Sequence, residues 1–152
     1  MFDIATYQFY ENALLYTARI CGERMKTILV VDDEPTIRNL LVRYITLQGY
    51  CALEAAGGAE ALELIRKYTE AVDLAIVDQK LDDWHGMDVA ARLSAIKPNI
   101  RLLLISGGLE KNALARVPAG RPMPDFLQKP FDRRLLLNRI QELLSCHNAA
   151  GS

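Results

Sequence analysis

Three short apolar runs in this chain end in acids or a hydroxyl. Thr27–Val31 (T-I-L-V-V) runs into Asp32-Asp33-Glu34, Asp73–Asp78 (D-L-A-I-V-D) ends on Asp78, and Ile100–Ser106 (I-R-L-L-L-I-S) ends on Ser106. A fourth run, Asp125–Gln128, is followed by Lys129-Pro130. If these runs are parallel strands of one open sheet, their C-terminal ends form the crevice where such sheets bind ligands. Asp32, Asp33, Asp78, Ser106 and Lys129 then converge on one edge. An acid at a strand end is ordinarily just solvated, and that accounts for any one of them, but not for all five at matching ends. Packed carboxylates repel one another. A hard divalent cation with oxygen ligands and room for water relieves that repulsion, which suits Mg²⁺. A carboxylate beside such an ion can attack a phosphoryl group and form an acyl phosphate. The ion and the ammonium neutralise charge on the transferring group, and the hydroxyl can hydrogen-bond a phosphoryl oxygen afterwards.

The elements that must position these groups are legible. The continuous apolar runs suit strands covered on both faces. Pro35 is well placed in the first turn of a helix carrying Ile37, Leu40, Leu41, Tyr44 and Ile45, which Gly49 stops. Tyr50–Ala55 reads as a second strand broken by Gly57-Gly58, and Ala61, Leu62 and Ile65 mark a helix reaching about Tyr68. Gly86–Ile96 reads as a helix closed by Pro98, and a last helix carries Leu136, Ile140, Leu143 and Leu144 on one face. Strand–helix alternation predicts α/β layering, a doubly wound five-stranded parallel sheet of the flavodoxin-like (βα)₅ class with right-handed crossovers. Between the fourth and fifth strands Pro118, Gly120, Pro122 and Pro124 crowd together, predicting a short helix near Leu109–Ala115 and then an irregular loop.

Composition narrows the classes. The chain has 152 residues and a formal net charge of −1, so nothing in the bulk charge points to nucleic acid or an anionic membrane. Its 3 cysteines lie far apart with no metal-ligand spacing, and read as reduced thiols of a cytoplasmic protein. With 2 histidines a zinc site would need unusual partners. No apolar run is long enough to span a bilayer, and residues 1–24 make a poor signal peptide. The expected organisation is an N-terminal extension over 1–24, helical from about Ala5 to Ile20, a compact domain over 25–146, and a disordered tail over 147–152.

The motifs I-L-V-V-D-D-E-P, L-A-I-V-D, L-L-L-I-S-G and F-L-Q-K-P-F, in that order over roughly Lys26–Ser145, resemble the response-regulator receiver domain of two-component signalling. The resemblance implies that Asp78 accepts the phosphoryl group from the phosphohistidine of a histidine kinase or a histidine phosphotransfer protein. It implies Asp33 as a direct metal ligand, Asp32 as a ligand through water, and the backbone carbonyl of Lys80 as the remaining protein ligand, with Asp78 itself, of Mg²⁺. Ser106 becomes the switch hydroxyl, Lys129 the pairing lysine, Phe126 the switch aromatic, and Lys129-Pro130 a cis bond. Phosphorylation would draw Ser106 inward, let Phe126 reorient, and alter the face made by the segment after the fourth strand, the fifth strand and the last helix. Output through protein contact is expected, with an unassigned partner or a second copy of the chain. The chain would catalyse only its own phosphorylation and dephosphorylation. Ser-Gly-Gly after the fourth strand also resembles receivers attached to hybrid sensor kinases.

The sequence departs from that pattern in places. Asp82 stands where the family often has proline, which predicts a freer and more acidic loop after Asp78, and His85-Gly86 replaces Asp-Gly. Gly107 stands where alanine is frequent, leaving the pocket open, while Lys80 and Gly108 hold positions that tune phosphoryl loss. Trp84 and His85 read as a half-exposed loop with one anchoring aromatic, and Arg133-Arg134 as a solvated turn. Two rival readings are a receiver-like scaffold that is never phosphorylated and a Mg²⁺-dependent phosphatase. The phosphatase would want an aspartate where Lys80 stands.

Overall fold

The computed structural model describes residues 25–108 and 124–150, with side chains through Ser145. The extension over 1–24 and the expected short helix near Leu109–Ala115 lie outside the described residues.

Five strands form one sheet: β1 (Thr27–Val31), β2 (Cys51–Ala55), β3 (Val72–Asp78), β4 (Arg101–Ser106) and β5 (Asp125–Gln128). Their order is β2-β1-β3-β4-β5 and every pairing is parallel. β1 lies inside the sheet, between β2 and β3, and is buried at each position, which is why its sequence is a continuous apolar run rather than an alternating one. Alternate strand residues feed two cores. Leu29, Val31, Ala75, Val77 and Leu104 face one side, while Ile28, Val30, Leu74, Ile76 and Leu103 face the other.

Four helices cover these faces: α1 (Pro35–Leu47), α2 (Gly58–Lys67), α3 (Gly86–Ile96) and α4 (Arg133–Ala150). α2 and α3 close the first core with Leu62, Ile65, Met87, Val89 and Leu93. α1 and α4 close the second with Leu41, Ile45, Leu136, Ile140 and Leu144. Covering both faces in this way gives the flavodoxin-like, doubly wound layering expected from the sequence.

Element boundaries depart from the sequence reading in small ways. β2 and β4 each begin one residue later, at Cys51 and Arg101, and β3 one earlier, at Val72. α4 continues to Ala150, into the stretch read as a tail beginning at 147. The larger correction is at Gly57-Gly58. These glycines do not merely break a strand: Gly57 caps α2 and Gly58 is its first residue.

Candidate functional site

β1 and β3 are neighbours in the sheet, so the residues after them are brought side by side. Beyond the last β1 residue, Asp32 continues the ladder by donating its N–H to the Ala55 carbonyl at 3.1 Å. Its Oδ1 accepts the Glu34 N–H at 2.9 Å, turning the chain toward Pro35 at the start of α1. Arg38, one turn into α1, donates from Nη1 to the Asp32 carbonyl at 2.7 Å and pairs through Nε with Glu54 of β2 at 3.5 Å. The acidic turn is therefore fixed by β2 and by α1.

Ligand oxygens of Asp32, Asp33 and Asp78 all lie within 4.8 Å of one another. Asp32 is only 2% exposed, and its carboxyl is pushed up to about 6. Burial is the main cause; the Glu34 N–H acts against it, Asp78 adds to it, Lys129 lowers it, and Asp33 raises it. The cation that reaches the cluster is Lys129, whose Nζ lies 3.4 Å from Asp78 Oδ2. Lys129 is delivered by the end of β5, where its backbone N–H donates to the Ser106 carbonyl at 2.7 Å. The Lys129-Pro130 peptide is cis, matching the expectation. Three clustered carboxylates, one of them buried, with a single ammonium beside them among the described residues, fit a hard divalent cation with oxygen ligands.

Ser106 is 5% exposed at the end of β4, the same edge as the acids. Its hydroxyl turns to its own loop, donating to the Gly108 carbonyl and accepting the Gly108 N–H at 3.1 Å. Phe126 is half-buried and packs on the α2–α3 core. Lys80 is exposed, and its backbone N–H donates to Asp78 Oδ1 at 3.2 Å.

The loop from Gln79 to His85 is held more firmly than its sequence suggests. Gln79 is buried, its N–H donates to Ile105 and its carbonyl accepts the Gly86 N–H at 2.8 Å. Lys80 and His85 form an antiparallel bridge. Gly86 passes so close to β3 that a Cβ there would lie 2.4 Å from the Asp78 carbonyl oxygen. The neighbouring Asp33 carboxylate, with smaller contributions from partial desolvation and from Asp83, holds the Asp82 carboxyl above the ordinary range. The loop is thus more acidic, as expected, but tied down rather than free. Trp84 is the anchoring aromatic of the sequence reading: it packs on the α2–α3 core and carries the Arg92 guanidinium over its ring at 4.2 Å.

Sequence reasoning missed Arg38, Gln79 and Asp83. Arg38 sits at ordinary helical spacing, Gln79 is buried without any sequence cue, and Asp83 acts on residues about two dozen positions earlier, so none carries a local signal. Among the described residues no helix is long and apolar enough to cross a membrane.

Known proteins resemble this chain in sequence and fold. The sequence profile of the response regulator receiver domain matches residues 28–141. The chain is 32% identical over 118 residues to the sensor kinase CckA of Brucella abortus, covering 78% of this chain and 12% of that protein. It is 32% identical over 117 residues to sporulation initiation phosphotransferase F of Bacillus subtilis, covering 77% of this chain and 92% of that one. Against the transcriptional regulatory protein GlrR of Escherichia coli it spans 26% of the relative's length. Among solved structures, a CheY-like receiver domain protein from Methanospirillum hungatei superposes with a TM-score of 0.73 at 25% identity, covering 83% of this chain and 98% of that one. The receiver domain of the hybrid histidine kinase CckA gives 0.64 at 28% identity, covering 78% and 98%. With the parallel β2-β1-β3-β4-β5 sheet and the acids gathered at its edge, these matches establish that the chain belongs to the response regulator receiver domain family.

Proposed function

We propose that this receiver domain accepts a phosphoryl group on Asp78 from a phosphohistidine, assisted by Mg²⁺, and signals by protein contact. The observation that carries the reading is the Asp78 carboxylate, 3.4 Å from Lys129 Nζ and within 4.8 Å of Asp32 and Asp33 ligand oxygens. Among the described residues, Asp78 is the one of the three acids in an ion pair with that ammonium, which supports reading it as the nucleophile. A carboxylate oxygen of Asp78 attacks phosphorus as the phosphorus–nitrogen bond of the donor breaks, and the imidazole leaves with the electron pair. Asp33, Asp78 and the Lys80 backbone carbonyl would hold the ion directly and Asp32 through water; bound there, Mg²⁺ neutralises charge on the equatorial phosphoryl oxygens. Lys129, already paired with Asp78, would stabilise the same charge and pair with the acyl phosphate. Ser106 would leave Gly108 to bond a phosphoryl oxygen, and Phe126 would follow it, changing the surface next to β5 and α4.

The cytoplasm, a histidine kinase or phosphotransfer protein as donor, and a protein as output partner belong to this proposal. Intact mass after incubation with acetyl phosphate and Mg²⁺ tests it. One added phosphoryl group, absent in Asp78→Asn and absent without divalent cation, is expected. An unmodified mass in the wild type contradicts the proposal and favours the scaffold reading, and steady turnover of phosphoesters favours the phosphatase.

A further inference from the structure

Asp83 is an exposed acid on the loop after β3, yet its carboxylate reaches a different element. Oδ1 accepts the Gly58 N–H at 3.0 Å and Oδ2 accepts the Ala59 N–H at 3.1 Å, at the N-terminus of α2. Oδ1 also accepts the Trp84 N–H at 2.9 Å. No side chain of α2's own N-cap serves these donors, since the N-cap is Gly57. Although its partial burial acts to raise it, these backbone donors hold the Asp83 carboxyl below its ordinary value. The next residue completes the contact. Trp84 lies so close to Gly58 that a Cβ there would come 2.7 Å from Trp84 Cε3, and as near to Val89 Cγ2. A Cβ on Gly57 would come 2.9 Å from Asp83 Oδ2. The glycine pair is therefore the socket, and Asp83-Trp84 the part that fits it.

This contact bears on the acids. Between Asp78, at the end of β3, and Asp83, fixed on α2, the loop has only Gln79 to Asp82 in which to move. Those four residues include Lys80, the candidate backbone ligand, and Asp82, whose carboxyl is raised by the neighbouring Asp33. We propose that Asp83 is a positioning residue: by clamping the loop after Asp78 onto the N-terminus of α2, it holds the Lys80 backbone in place for the divalent cation and couples occupancy of the site to the α2–α3 face. The inference rests on the reading of Asp78 as a metal-assisted phosphoryl acceptor. Residues that orient ligands without touching the metal typically change affinity by about ten- to a hundredfold when removed.

The test is Mg²⁺ titration by calorimetry on the full chain, with thermal unfolding in chelator run beside it. Asp83→Ala should weaken Mg²⁺ binding about tenfold. Asp83→Asn, which still offers a capping oxygen, should keep the affinity within about threefold of wild type. Gly57→Ala leaves Asp83 in the chain but puts a methyl against its carboxylate, and Gly57 has φ −166°, extended backbone that alanine adopts. It should reproduce the Asp83→Ala loss, and it keeps the test available if Asp83→Ala does not fold. The emission of Trp84 should respond to Mg²⁺ in the wild type and lose that response in Asp83→Ala and Gly57→Ala. Wild-type Mg²⁺ affinity in Asp83→Ala and Gly57→Ala, with only a lower melting temperature, overturns the clamp and leaves the site reading intact. A wild-type chain that takes up no Mg²⁺ overturns the site reading and this inference with it.

Discussion

Asp32 is the acid that the fold treats most harshly. It is buried beside two other carboxylates, and its carboxyl lies near 6 rather than 3.8. An acid with a raised folded-state pKa binds its proton more tightly in the folded chain than in the unfolded one. Below about pH 4 both states are protonated and there is no cost. Between about 4 and 6 the unfolded state ionises first, so stability falls as pH rises, and above about 6 the full cost, on the order of 2–3 kcal/mol, is present. Asp32→Asn should therefore raise the melting temperature in chelator at pH 7.5 and flatten the pH dependence between 4 and 6. A lower melting temperature at pH 7.5 would show that the buried charge is compensated. Mg²⁺ competes with the same proton, so binding should weaken as pH drops below about 6, read by titration at several pH values. Lys129 is the opposite case, a cation aimed at Asp78. Lys129→Ala should slow phosphorylation by acetyl phosphate by about 10²-fold while leaving Mg²⁺ binding in place, measured as the rate of mass gain.

At the scale of elements, the site depends on how closely α3 starts against β3. Gly86→Ala places a methyl 2.4 Å from the Asp78 carbonyl oxygen, and a backbone atom cannot yield as a side chain does. The variant should lose about 1–3 kcal/mol in urea unfolding, and Mg²⁺ affinity should fall because the end of β3 must shift. Unfolding at the wild-type midpoint would contradict that packing. The same element shows what a sequence makes legible. α3 spans Gly86–Ile96, the range read from the sequence with Pro98 closing it, and it buries Val89, Ala90 and Leu93. The inner strands β1, β3 and β4 are legible because burial on both faces leaves continuous apolar runs, each within a residue of its predicted start. Gly57-Gly58 reads only as a break in the sequence because a glycine's sequence signal is local. Here the requirement is tertiary, set by Asp83 and Trp84 on a distant loop.

Across the whole molecule, one topology does most of the work. A parallel sheet ordered β2-β1-β3-β4-β5 sends each strand's C-terminal end to one edge, so the grouping of Asp32, Asp33, Asp78, Ser106 and Lys129 is legible in the sequence. What the grouping left out were the supports: Arg38 gripping the Asp32 carbonyl, Gln79 under the loop, and Asp83 bound to α2. Their roles arise from contacts between elements and have no motif. The orientation of Ser106 was also beyond the sequence, since its hydroxyl is engaged by Gly108 and must turn to take part. The central claim is that Asp78 carries the phosphoryl group. Its most direct measurement is borohydride trapping after acetyl phosphate and Mg²⁺ treatment, which reduces an aspartyl phosphate to homoserine, followed by peptide mass mapping. Homoserine at position 78, dependent on Mg²⁺, is the predicted result. An intact Asp78 with homoserine elsewhere, or none at all, would contradict it.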